Sequence, residues 1–131
     1  MAIARKRAMA YMKMACAEIN LTCHPKVNFS NRNDKMAMFL FDLTDVEVFL
    51  IAAIMYRNYI ASDIAYLKTL SRDYTSTELR VFSPSEARQS FMEMYNSVCF
   101  QVDAYMDAYK NTDRETLEFI DIDYSAYESE E

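Results

Sequence analysis

The segment TDVEVFLIAAIMY, residues 44–56, predicts the central element of this chain. Thr44 followed three residues later by Glu47 is a capping-box pattern, which marks the start of a helix. The run behind it is apolar on nearly all sides, and this predicts a central, buried helix that continues to Ser71 or Arg72. The residues expected on its buried stripe are Phe49, Ala53, Tyr56, Ile60, Ile64 and Leu67.

Helix signals also divide the sequence before this helix. Residues 3–19 carry apolar side chains at helical spacing, and Asn20 is suited to a left-handed stop. Residues 21–33 contain His24-Pro25 and a polar run over residues 28–33, so we predict a loop there. Asp34 can cap a short helix over residues 35–42.

The sequence after residue 72 contains a strong helix start. Residues 73–82 are predicted to form an extended connection, and Ser83-Pro84-Ser85-Glu86 combines a serine N-cap, a proline at the first position and a glutamate at the third. The helix should end near Lys110. Its predicted inner face carries Ala87, Phe91, Tyr95, Val98, Val102, Tyr105 and Tyr109. A second capping pattern over residues 111–115 predicts a last short helix with Leu117, Phe119 and Ile120.

Together these signals predict an all-α, single-domain helical bundle of about four main helices with an acidic C-terminal tail. Residues 1–112 form the bundle domain in this prediction, and residues 113–131 form an acidic, aromatic-containing tail or short helix.

The chain contains no glycine, although a sequence of this length would carry about nine at average usage. Phosphate-cradling loops, dinucleotide-binding turns and nucleophile elbows depend on glycine. We therefore expect neither catalysis nor a cofactor.

The cysteines and the single histidine allow two alternatives. Cys16, Cys23 and His24 could ligate zinc, but their spacing matches no standard zinc motif. A Cys–His nucleophilic pair is the other possibility. Three cysteines without a disulfide pattern, Cys99 being the third, instead favour a reduced, cytoplasmic location.

Charge is divided unevenly along the chain. Residues 1–40 carry seven Lys or Arg and two acids, whereas residues 41–131 carry seven and eighteen. A basic patch of Arg5, Lys6, Arg7 and Lys13 could contact phosphates of nucleic acid or an anionic membrane. The acidic remainder would repel a nucleic-acid backbone, and the apolar run over residues 48–56 is too short to span a bilayer, so we expect neither partner.

The C-terminal segment alternates acidic with large apolar residues, which is typical of segments that dock onto a basic, partly apolar groove. The side chains expected to bind a partner are Phe119, Asp121, Ile122, Asp123, Tyr124 and Tyr127. The segment could equally fold back on the basic first helix of its own chain.

Ten methionines and ten tyrosines match the residue usage of protein interfaces. We therefore expect a non-catalytic α-helical interaction module that binds a basic protein or self-assembles into a homo-oligomer. Its character is typical of phage and viral accessory proteins. The alternatives are an acidic nucleic-acid mimic that inhibits a DNA-binding protein and a nucleic-acid binder acting through the first helix.

Overall fold

The computed structural model describes residues 1–73 and 84–121. Within them, helices α1 (Ala2–Cys23), α2 (Asp45–Asp73) and α3 (Pro84–Lys110) dominate. Strands β1 (Arg32–Asn33) and β2 (Met38–Phe39) form a short antiparallel hairpin between α1 and α2. The predicted all-α class is confirmed as a mostly helical fold with little strand, whereas a fourth helix is not seen among the described residues.

The starts of α2 and α3 agree with the capping signals. The Glu47 amide donates a hydrogen bond to the Thr44 hydroxyl at 3.3 Å, so Thr44 caps α2 as predicted. Pro84 occupies the first position of α3, and that helix ends at Lys110. Ser83 and nearly all of the predicted 73–82 connection lie outside the described residues.

The predicted end of α1 is wrong by four residues. The helix continues to Cys23, and His24 adopts the left-handed conformation with φ of 47°. Asn20 remains helical because its amide group organises the following loop. It accepts a hydrogen bond from the Phe29 amide at 3.0 Å and donates to Asn28 Oδ1 and Ser30 Oγ.

The short helix predicted for residues 35–42 is also wrong, because this segment is the β1–β2 hairpin. Asn33 Oδ1 accepts hydrogen bonds from the amides of Lys35 and Met36, both at 3.1 Å, which tightens the reversal. Ala37 then adopts φ of 53°, and β2 pairs back on β1. Asp34 caps nothing in this arrangement and instead forms an ion pair with Arg32 at 2.9 Å.

The last predicted helix, around Leu117, is replaced by a single turn. Asp113 Oδ1 does accept hydrogen bonds from the amides of Glu115 and Thr116, as a helix cap would. Leu117 then adopts φ of 61°, and an antiparallel bridge joins Thr112 to Phe119. The capping signal therefore starts one turn and no more. We call residues 112–119 the C-terminal turn.

The core lies where the second half of α1 meets the first half of α2 and the second half of α3. Its fully or nearly fully buried side chains include Cys16, Ile19, Phe29, Leu50, Ile54, Val102 and Met106. The predicted burial of two residues of the α2 stripe is wrong, because Phe49 is 55% exposed and Tyr56 is 49% exposed. Tyr105, predicted to face inward from α3, is 39% exposed. The buried face of α2 instead includes the charged Glu47, which no part of its own helix neutralises.

Candidate interaction surface

Large apolar side chains that the core leaves uncovered gather along the seam between α2 and α3. Phe49 and Tyr105 pack edge to face with ring centroids 5.1 Å apart, and the Tyr56 hydroxyl lies 3.9 Å from the Met94 sulfur. From the first of these contacts to the second, the residue number rises in α2 and falls in α3, so the two helices run antiparallel. Together with Tyr59, 48% exposed, these four side chains form what we call the aromatic face.

Tyr56 and Tyr59 also border a groove between α2 and the first half of α1, which we call the α1–α2 groove. It encloses about 350 Å³. The lining residues from α1 are Ala4, Arg7, Ala8 and Tyr11, and those from α2 are Met55, Tyr56 and Tyr59. The groove exists because α1 buries no residue before Ala15, so its first half lies beside α2 without closing on it.

A second groove lies between α1 and the hairpin, on another side of the helix. It encloses about 260 Å³ and includes Arg5, Met9, Met12, Met38 and Phe39 among its lining residues. Arg5 and Arg7 therefore line different grooves, although they are only two positions apart. This difference provides a matched pair of sites for mutation.

The predicted basic patch is divided by these contacts. Arg5, Lys6 and Arg7 are exposed on the first turns of α1. Lys13 forms an ion pair with Asp34 at 3.1 Å, and this partner lowers the pKa of Asp34. Lys13 is thus neutralised by the hairpin, and the cations of the first two turns carry the remaining charge of the patch.

The predicted partner-binding residues fall partly within the described chain. Phe119 is 80% exposed, and Asp121 is exposed as well. Ile122, Asp123, Tyr124 and Tyr127 lie outside the described residues.

The C-terminal turn is attached to the end of α1 and not to the basic patch. The Lys26 ammonium donates to Asp113 Oδ2 at 2.7 Å, and this hydrogen bond, together with the backbone amides capped by Asp113, lowers the pKa of that carboxyl. Ile120 shares a small cavity of about 60 Å³ with Cys23 and His24. The start of the acidic segment is therefore held beside the last residues of α1.

A buried ion pair fixes the same turn to α2. Arg114 donates to both carboxylate oxygens of Glu47, at 2.7 and 3.2 Å, and to the carbonyl oxygen of Asp42 at 2.8 Å. Its guanidinium also lies 5.9 Å from the centroid of the Phe41 ring. Glu47 is fully buried, and the hydrogen bond raises the pKa of Arg114. Sequence reasoning missed this pair because its members are 67 positions apart.

The Tyr109 hydroxyl lies close to this ion pair. It is buried and has no hydrogen-bond partner among the described residues. Burial, with the nearby Glu47 carboxylate as the next cause, raises the pKa of Tyr109.

The cysteines and the histidine occupy different environments. Cys16 and Cys23 are buried, and burial raises the pKa of both thiols. The Cys23 thiol donates to the Met106 carbonyl oxygen at 3.7 Å, whereas the His24 side chain is exposed. Within residues 1–73 and 84–121, His, Cys, Asp and Glu side chains form no group of three or more placed to hold a metal ion.

Among the residues that the structure describes, one helical segment, Asp45–Tyr66 of α2, is long and apolar enough to cross a membrane by length and composition. Core helices of soluble proteins meet the same criterion, so it is weak evidence. Two ion pairs tie this segment to the rest of the protein, Glu47 with Arg114 and Arg57 with Glu18. Only 22% of the apolar window is buried, which agrees with the exposure of the aromatic face.

Comparisons of the chain with protein-family models, with curated proteins and with solved structures give no match. The function is therefore inferred from the surfaces and contacts of this chain itself.

Proposed function

We propose that the protein is a non-catalytic helical interaction module that associates with itself through the aromatic face. The observation that carries the proposal is the set of part-exposed side chains along the seam between α2 and α3, where Phe49 packs on Tyr105 and Tyr56 lies beside Met94. Soluble monomers rarely expose a large contiguous apolar patch, and such patches usually mark interaction sites.

The residue types on the face support a protein partner. Tyrosine, phenylalanine and methionine are enriched at protein interfaces, where the aromatic rings add a large contact area with few rotatable bonds and methionine adapts its shape to the partner. The face consists of Phe49, Tyr56, Tyr59, Met94 and Tyr105, with no charged member. A homodimer with two-fold symmetry would cover this face in both copies by a single contact.

The limited burial of α1 also supports association. No residue of α1 before Ala15 is buried, although Met12 packs against the edge of the core, so more than half of a 22-residue helix places no fully buried side chain in its own chain. Isolated helical segments are marginal in water, and most helical stability in proteins comes from packing. A second copy packed against this half of α1 would supply the missing contacts.

The experiment is sedimentation equilibrium of the full chain over a range of concentrations, compared with two variants. Phe49→Ser removes an aromatic ring from the face. Phe100→Ser is the matched control, because Phe100 is 76% exposed on the opposite side of α3 from the buried Val102. We expect Phe49→Ser to weaken association by about tenfold or more, as for a ring near the centre of an interface, and Phe100→Ser to leave it unchanged.

Circular dichroism of each variant shows whether the helices are retained. A folded monomer at every concentration contradicts the proposal. So does equal weakening by the two variants, because it would show that the aromatic face is not the contact. If the chain does not self-associate but floats with lipid vesicles in a density gradient, the exposed side of α2 would be assigned to a membrane surface.

A further inference from the structure

We propose that the α1–α2 groove of one copy binds residues 119–124 of a second copy, so that each chain of a dimer both donates and receives this segment. The proposal rests on the self-association proposed above and names the contact at the edge of the aromatic face. The segment has the sequence Phe-Ile-Asp-Ile-Asp-Tyr. We call it the tail segment.

The chemistry of the groove matches the tail segment. Of the side chains that line it, Arg7 alone is charged, and the described residues place no carboxylate in ion-pair contact with Arg7. The other lining residues are alanine, methionine and tyrosine. An extended peptide with apolar side chains separated by carboxylates can place its rings among the tyrosines and a carboxylate beside the guanidinium.

Charge along both chains favours the same pairing. The first two turns of α1 carry Arg5, Lys6 and Arg7, and no acid precedes Glu18. After Arg114 the chain has seven acids and no cation. Complementary charge of this kind speeds encounter and fixes the orientation of two partners.

The geometry of the chain assigns the groove to the tail segment of another copy. Ile120 lies beside Cys23 and His24 at the end of α1, and Asp113 is held there by Lys26. Arg7 precedes Cys23 by 16 residues, which is about 24 Å along the helix axis. Phe119 therefore cannot enter the groove of its own chain while the C-terminal turn stays in place.

The exposed first residues of the tail segment fit this arrangement. Phe119 is 80% and Ile120 53% exposed, so the described part of the segment has apolar surface that its own chain leaves uncovered. If two copies pack with antiparallel α1 helices, the end of α1 in each lies beside the first turns of α1 in the other. Both tail segments then reach a groove by the same symmetric contact.

The test is a charge-reversal series on the full chain, with the dimer dissociation constant measured by sedimentation equilibrium. Arg7→Glu should weaken the dimer by about tenfold. Arg5→Glu changes the net charge equally but lies in the other groove, and we expect less than about a threefold change. In the tail segment, Asp121→Lys with Asp123→Lys should weaken the dimer as Arg7→Glu does. Glu128→Lys with Glu130→Lys is the matched control outside the segment.

The decisive variant combines Arg7→Glu with Asp121→Lys and Asp123→Lys. If carboxylates of the tail segment contact Arg7 across the dimer, reversing both sides restores affinity toward the wild-type value. A dimer in which Arg7→Glu and Arg5→Glu act equally, and in which the combination gives no rescue, overturns the groove contact and leaves self-association standing. A monomeric wild-type chain overturns both proposals. Circular dichroism identifies any variant that fails to fold, and if Arg7→Glu is such a variant, the substitutions in the tail segment give the result.

Discussion

Replacing Arg114 by methionine is expected to be among the most damaging single changes to this fold. The substitution keeps an unbranched side chain over Phe41 but removes both hydrogen bonds that Arg114 donates to the Glu47 carboxylate. Glu47 has no exposed surface, so water cannot replace the lost partner without opening the core. Removing one member of a buried ion pair typically costs about 3–5 kcal/mol, because the other charge remains in a poorly solvating site.

That cost is large beside the whole stability of a domain, which is usually about 5–15 kcal/mol. With a urea dependence of about 1.5 kcal/mol per molar, the unfolding midpoint should fall by about 2–3 M. The assay is urea unfolding followed by circular dichroism. All variants are compared at one protein concentration, because association stabilises the folded chain.

Two further variants distinguish the buried charge from general damage. Arg57→Met breaks the pair with Glu18, whose side chain is 30% exposed, so a loss of about 1 kcal/mol is expected. The double variant Glu47→Met with Arg114→Met leaves no buried charge and should be more stable than Arg114→Met alone. If the double variant is less stable than the single one, or if Arg57→Met costs as much as Arg114→Met, the reasoning about Glu47 is wrong.

Three other predictions follow from single positions. Ala37→Gly should raise the free energy of unfolding by roughly 1 kcal/mol, because glycine adopts φ of 53° without the steric cost of a Cβ. An unchanged or lower free energy in urea unfolding would count against the hairpin turn. Tyr109→Phe should stabilise the fold by roughly 1 kcal/mol, since it removes a buried hydroxyl without a partner, and a loss of stability would reveal a hydrogen bond there. The hydrogen bond from Lys26 lowers the pKa of Asp113 in the folded chain. The ionised Asp113 therefore stabilises the fold fully at a pH above the ordinary carboxyl pKa of about 4, and this stabilisation is lost as the pH falls below that value. Unfolding measured between pH 5 and pH 2 should therefore show a shallower decline for Asp113→Asn than for the wild type, and parallel declines would contradict the pairing.

Helix starts were predictable because their signals are local. Thr44 caps α2, and Pro84 opens α3, through hydrogen bonds or backbone angles set within one turn of the chain. The end of α1 was not predictable in this way. Asn20 is a good stopping residue in isolation, but its side chain gains three hydrogen bonds to the following loop when the helix continues past it.

The hairpin and the C-terminal turn show how a chain without glycine turns. His24, Ala37 and Leu117 adopt positive φ, and no local sequence pattern predicts this conformation at any of the three positions. Asp34 and the capping pattern over residues 111–115 each predict a helix, but both segments turn back within a few residues. Tertiary contacts overrule the local preference there, through the strand pairing of the hairpin and the bond between Arg114 and Glu47.

The candidate surface was the least predictable part of the molecule. Helical periodicity identified apolar stripes on α2 and α3 but not which side of each stripe meets the core. Glu47 on the inner side of α2 rotates the buried face away from Phe49 and Tyr56, because Arg114 neutralises it from the far end of the sequence. The abundance of tyrosine was the one sequence signal that pointed to an uncovered aromatic surface. The division at residues 112 and 113, the phage or viral character and the cytoplasmic location stay predictions.

The measurement that tests self-association most directly is the molar mass of the wild-type chain by light scattering after size exclusion, over a dilution series. The chain has a mass of 15.3 kDa. We expect a mass that approaches twice this value at high concentration and falls toward that of the monomer on dilution. A constant mass of 15.3 kDa across the series, with the helical content intact, would contradict it.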